Sequence, residues 1–73
     1  MAWNNINLQF GEILRKLREG RHMTQEEFAD LCGISRAYYG RIERREHSAT
    51  LELCQRISEA TGLSFSELFA DIV

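Results

Sequence analysis

Apolar side chains recur along this chain at helical intervals, in short bursts separated by glycine and hydroxyl residues. Phe10, Ile13, Leu14 and Leu17 stand at i, i+3, i+4 and i+7, which predicts a first helix over about residues 8–19. Asn5 or Asn7 is its candidate cap and Gly20 its candidate stop, while Gln9 and Gly11 are weak residues near its start. Thr24-Gln25-Glu26-Glu27 has the form of a capping box and opens a second helix to about Cys32, with Phe28, Ala29 and Leu31 on its apolar face. Met23, in the link before it, is expected to tuck into the core. Gly33 falls where a helix-ending left-handed residue is expected. Ile34 should pack between the helices on either side. Ser35 caps a third helix, Arg36 to about Arg44, that turns Ala37 or Tyr38, and then Tyr39 and Ile42, inward. Thr50 caps a fourth, Leu51 to about Thr61, with Leu51, Leu53 or Cys54, Ile57 and Ala60 inward and Gly62 as its end. Ser64-Phe65-Ser66-Glu67 is a second capping box, opening a short last helix through Leu68, Phe69 and Ile72.

The pattern predicts an all-α fold, a compact five-helix bundle forming a single domain over residues 1–73. Within it, residues 24–45 form two short helices around a glycine-containing joint, Cys32-Gly33-Ile34-Ser35. That arrangement is a helix-turn-helix, whose second helix is offered to the major groove of DNA.

Composition narrows the picture further. A chain of 73 residues buries about 60% of its unfolded surface, so the core is small. No run of 18 apolar residues occurs, which excludes a spanning helix, and no basic segment followed by an apolar one opens the chain, so a cytoplasmic protein is expected. Cys32 and Cys54 lie within apolar helical patterns and read as small core residues in a reducing compartment. With His22 and His47 they lack metal-ligand spacing, so neither a metal nor a cofactor is expected. No nucleophile, base and orienting group stand together, so the chain does not read as an enzyme. Net charge is −2, unusual for a DNA binder, but its distribution is uneven. Residues 1–49 hold eight Lys/Arg against seven Asp/Glu, and residues 50–73 hold one against four. Arg15, Lys16, Arg18 and Arg21 form one basic cluster, and Arg36, Arg41, Arg44 and Arg45 another, which together suggest one positive face beside the motif.

The ordered set Leu17-Arg18, Met23-Thr24-Gln25-Glu26-Glu27-Phe28-Ala29, Gly33-Ile34-Ser35, Tyr38-Tyr39-Gly40-Arg41-Ile42-Glu43, Leu51-Glu52-Leu53 and Thr61 through Phe69 resembles the Xre/Cro-like, phage-repressor type of helix-turn-helix regulator. The resemblance covers roughly residues 8–70, the repressor-like DNA-binding domain. Within that family the short length and the run Ser35 to Arg44 look most like the controller proteins of restriction-modification systems. Three departures stand out. Gly20 replaces a helix former near the end of the first helix. Arg45 occupies a position commonly held by glycine, where positive φ would be costly for any other residue, and Ala49 one often held by proline.

Base readout needs long or apolar side chains near the N-terminus of the second helix of the motif. Arg36 fits a bidentate pair with guanine, and Arg41 is the second candidate reader, with an ion pair to Glu27 or to acids beside Arg45 as its rival. The resemblance implies groove-facing positions for Ser35, Arg36, Ala37, Gly40 and Arg41, with Ala37 offering an apolar contact and Gly40 a close approach. It also implies a phosphate contact for Gln25 and an ion pair between Glu43 and Arg18. Tyr38 is expected outward, toward phosphate or a base edge, and Tyr39 inward. Arg18, Arg44, Arg45 and Ser48 are further phosphate candidates. A single small module reads too few bases to specify a site, so a homodimer on a palindromic operator is expected. Leu63, Phe65, Leu68, Phe69, Ile72 and Val73 are its candidate interface, with closure of the core as the rival role. The function expected is that of a transcriptional regulator, an activator or a repressor, binding double-stranded DNA with no membrane or small-molecule partner. The alternative is a protein-interaction module of the same fold, of antitoxin or anti-repressor type.

Overall fold

The computed structural model describes residues 6–70. Five helices follow one another: α1 (Ile6–Gly20), α2 (Gln25–Cys32), α3 (Arg36–Glu43), α4 (Leu51–Thr61) and α5 (Phe65–Leu68). The hydroxyl caps act as the sequence predicts. Thr24 and Ser64 each complete a capping box with the glutamate three residues on, and Ser35 and Thr50 each accept an N–H from the first turn they open.

One core joins the helices. Phe10 and Leu14 of α1, Phe28, Ala29 and Cys32 of α2, and Tyr39 and Ile42 of α3 meet Leu53, Cys54 and Ile57 of α4, and Leu68 closes the end. Met23 and Ile34 pack against this cluster from the links, as expected. Burial raises both cysteine thiols above their usual range, so they sit in the core as neutral apolar groups.

Several expectations are corrected. The first helix starts at Ile6, so Asn7 lies in its first turn instead of capping it; Asn5 is outside the described residues. Leu31 is exposed because the buried arc of α2 runs through positions 28, 29 and 32. Leu51 is 81% exposed, since the inward arc of α4 runs through 53, 54 and 57, whose centre lies about a third of a turn around the helix from position 51. The last helix is only four residues long, and Phe69 follows it as the cap; Ile72 lies outside the described residues.

Helix endings hold the least expected feature. Three helices close with the same pair of bonds, in which successive N–H groups reach back to carbonyls three and five residues earlier. After α1 these are His22 to Glu19 and Met23 to Arg18; after α2, Gly33 to Asp30 and Ile34 to Ala29; after α3, Arg45 to Ile42 and Glu46 to Arg41. The motif needs a left-handed residue, and only one of the three is glycine: Gly33 has φ 73°, His22 57° and Arg45 70°. Gly20, the expected stop, is merely the last helical residue. Non-glycine residues in that region cost about 1–2 kcal/mol, which the paired backbone bonds closing α1 and α3 offset at His22 and Arg45.

Candidate nucleic-acid interface

A surface built from the start of α2, the outer arc of α3 and the loop that leaves α3 carries most of the candidate DNA contacts. The arc follows from helical spacing. Tyr39, Gly40 and Ile42 are buried, so Arg36, Ala37, Arg41 and Arg44 face outward. Ser35 is exposed at the head of the helix, its Oγ accepting the Tyr38 N–H at 3.1 Å.

Beneath the arc lies an ion pair that fixes α3 against the rest of the bundle. Arg18 donates to Glu43 through Nε at 3.0 Å and Nη2 at 2.9 Å, and through Nη1 to the Met23 carbonyl at 3.1 Å. Gln25 Nε2 donates to the same carboxylate at 3.0 Å. The Arg18 and Glu43 side chains are 15% and 6% exposed. Burial by itself would raise the Glu43 carboxyl, but bonds from Arg18, Tyr39 and Gln25, with the Arg18 charge, hold it below the usual glutamate range. The Tyr39 hydroxyl also makes a long bond, 3.4 Å, to the Leu14 carbonyl, and burial pushes its phenol far above its usual range. The pair expected between Glu43 and Arg18 is thus present, and one carboxylate ties α1, α2 and α3 together. The Arg18 guanidinium is thereby committed to Glu43 and the Met23 carbonyl, while its side chain still lines the open recess beside Gln25 and Arg36. Gln25 keeps a second amide hydrogen and lines a shallow open recess with Thr24, Glu26 and Arg36.

Arg36 and Arg41 differ from most other arginines here: neither has a partner among the described residues, and the expected rival pairs for Arg41 do not form. Arg44 reaches Glu46 at 3.3 Å and runs back over Gly40, where an added Cβ would lie 2.9 Å from its Nη1. Gly40 is therefore buried beneath Arg44, and the close approach expected of a groove-facing glycine is taken up by this side chain. Tyr38, and not Ala37, takes the inward place expected of one of them: it is half-buried against the core instead of pointing outward, with its ring edge-on to His47 at 5.5 Å.

The exit loop owes its position to α1. A Cβ on Gly11 would stand 2.9 Å from the Glu43 carbonyl oxygen, 3.0 Å from that of Ile42 and 3.0 Å from Arg45 Cγ. Glycine at this helix-interior position thus lets α1 lie directly on the end of α3. Arg45 Nη1 lies 3.7 Å from Glu12, and Ser48 accepts a bond from Asn7 at 3.1 Å. Neither the Gly11 contact nor the Asn7–Ser48 bond was expected. A glycine inside an otherwise good helical pattern was the one signal for the first, and side chains 41 residues apart gave none for the second.

The other basic cluster disperses. Lys16 lines a recess of about 270 Å³ between α1 and α5, and Arg21 donates to the Thr61 carbonyl at the end of α4. Lys16 and Arg21 thus lie away from α3, while Arg18 lines the recess beside Gln25 and Arg36. Of the candidate dimer residues, Leu68 is 2% exposed and belongs to the core. Leu63 and Phe69 are half-buried against it, with Phe69 stacked on Phe10 at 5.5 Å and touched by Phe65 at 6.0 Å. Phe65 is exposed, and Ile72 and Val73 lie outside the described residues. No helix among the described residues is long and apolar enough to cross a membrane.

The helix-turn-helix family profile matches residues 14–68. The chain is 40% identical over 70 residues to the control protein C.MunI of a Mycoplasma species, spanning 94% of this chain and 95% of that one. It is 36% identical over 66 residues to the control protein C.BamHI of Bacillus amyloliquefaciens, spanning 89% and 82%. It is also 26% identical over 61 residues to the immunity repressor of Bacillus phage phi105, spanning 84% of this chain and 42% of the repressor. No solved structure matches it.

Proposed function

The chain belongs to the helix-turn-helix family of transcriptional regulators, and on that premise we propose that it acts in the cytoplasm as a homodimer, binding a palindromic operator sequence-specifically. The observation that carries this reading is the pair of unpartnered arginines, Arg36 and Arg41, on the exposed arc of α3. An α-helix with its side chains is about 10–12 Å across, which fits the width of a major groove, about 12 Å. Arg36 and Arg41 read base edges, with Ser35 and Ala37 beside them. Gln25 at one end and Arg44, Arg45 and Ser48 at the other hold phosphates and set the register.

A protomer measuring 33 × 24 × 22 Å suits a dimer whose recognition helices lie ~34 Å apart, one turn of DNA. Phe65, Leu63 and Phe69 supply the apolar contact between protomers. Similarity to control proteins over nearly the whole length supports a role as the controller of a restriction-modification system.

Selection from a random duplex pool tests the reading. The wild-type protein should enrich a palindrome with half-site centres about one helical turn apart. Arg36→Ala should relax preference at one base pair in each half-site, by roughly 1–3 kcal/mol. Equal retention of all sequences, or of none, would refute the proposal, and retention of a protein partner in place of DNA would favour an interaction module.

A further inference from the structure

One face of α1 grips the loop that leaves the recognition helix, through three residues at helical spacing. Gly11 lets the two backbones touch, Glu12 approaches Arg45 at 3.7 Å, and Asn7 Nδ2 donates to Ser48 Oγ at 3.1 Å. Asn7, Arg45, Glu46, His47 and Ser48 surround a shallow recess of about 230 Å³ on this side of the molecule.

The Asn7 bond has a direction, and the direction has a consequence. A serine hydroxyl carries one hydrogen to donate and two lone pairs to accept with. Asn7 occupies a lone pair, and Ser48 makes no other hydrogen bond among the described residues, so its hydrogen remains to be given outward. A phosphodiester oxygen only accepts, so it needs a donor of this kind. An unheld serine on an exposed loop would divide its hydroxyl among rotamers and water, and ordering it would cost part of the contact.

We propose that Asn7 is a positioning residue for DNA binding: it holds Ser48 with the hydroxyl hydrogen facing out, ready for a backbone phosphate in the recess beside Arg45. The inference rests on the DNA-binding reading above and adds α1, outside the helix-turn-helix itself, to the binding machinery. Contact of this kind carries no base information, so it governs affinity and leaves sequence preference alone.

The test is a set of equilibrium titrations of the duplex enriched by wild-type protein, over a range of salt, with thermal melts of every variant. Ser48→Ala and Asn7→Ala should each weaken binding about 3–10-fold, and the double variant should be no weaker than Ser48→Ala alone. Neither substitution removes a charge, so the dependence on salt should keep its wild-type slope. Asn7→Asp tests the direction of the bond. A carboxylate can only accept, so it draws the Ser48 hydrogen inward and weakens binding more than Asn7→Ala does. In the Ser48→Ala background that excess should shrink to the part due to the added charge.

Independent effects of Asn7→Ala and Ser48→Ala, multiplying in the double variant, would overturn the inference, as would unchanged binding by Ser48→Ala. An equal loss from Asn7→Ala in both backgrounds, accompanied by a lower melting temperature, would reduce Asn7 to a structural role and overturn it too. Failure of the wild-type protein to bind any duplex at low salt is a different result, which removes the DNA-binding reading itself.

Discussion

Replacing Glu43 with alanine should remove a large share of the protein's stability. The substitution removes three charge-assisted bonds at 2.9–3.0 Å, two from Arg18 and one from Gln25, together with the interaction of the Tyr39 hydroxyl with the same carboxylate. It leaves Arg18 with only the Met23 carbonyl as a strong partner, in a place where the guanidinium side chain is 15% exposed. Removing one member of a buried pair costs about 3–5 kcal/mol, chiefly from the charge left behind. Water can still reach part of Arg18, which puts the expected loss at the low end, about 3 kcal/mol. A chain of 73 residues has a total stability of roughly 4–11 kcal/mol, so this is a large share. The melting temperature should fall by about 12–24 °C, at about 4–8 °C per kcal/mol for a domain of this size. Urea unfolding followed by far-UV circular dichroism measures the loss directly. A change below about 1 kcal/mol would mean the pair behaves like an exposed one and would refute the reasoning. The double variant Arg18→Met/Glu43→Leu provides a second check. It removes both charges and should be more stable than Glu43→Ala alone; a double variant less stable than that single would contradict the desolvation argument.

Three other outcomes follow from the same geometry. Because the Glu43 carboxyl is held below 4.5, its contribution is complete above about pH 4.5 and is lost as pH falls through the lowered folded value. Acid unfolding of the wild-type protein should therefore be steeper below pH 4.5 than that of Glu43→Gln, and equal steepness would contradict the shift. Arg45→Gly relieves a positive φ of 70° and should raise stability by about 0.5–1 kcal/mol, while weakening DNA binding and lowering its salt slope by about one charge. A gain in both stability and affinity would show that Arg45 touches no phosphate. Gly11→Ala gains about 1 kcal/mol of helix propensity but sets a methyl against two backbone carbonyls that cannot yield cheaply, a cost of about 1–3 kcal/mol. Its melting temperature should fall, and a rise would mean α1 and α3 can separate freely.

The helices were legible because their signals are local. Thr24, Ser35, Thr50 and Ser64 each mark a helix start within three residues of the bond they make, and the apolar spacing of Phe10, Leu14, Tyr39 and Ile42 needs only the helical period. Leu31 and Leu51 were misplaced because period alone does not say where the edge of a buried arc falls. The resemblance to a known family supplied the Arg18–Glu43 pair, which spacing cannot give across 25 residues. What remained hidden depends on tertiary contact. Gly11 looks like a defect in a helix until α3 is laid on it, and His22 gives no sign in sequence that it will take a glycine conformation. Gly40, expected open, is closed by a neighbouring arginine whose rotamer no pattern specifies. The DNA-facing assignments of Arg36 and Arg41 rest on the outward arc of α3 and on the free state of both guanidinium groups.

The measurement that bears most directly on the central reading is a titration of the protein against its selected palindromic duplex at increasing salt. The wild-type protein should bind as a dimer, losing affinity linearly on logarithmic axes with a slope near −0.9 for each phosphate neutralised. Arg36→Ala should lose discrimination between that duplex and a scrambled one. Absence of binding at low salt, or equal affinity for both duplexes by the wild-type protein, would contradict it.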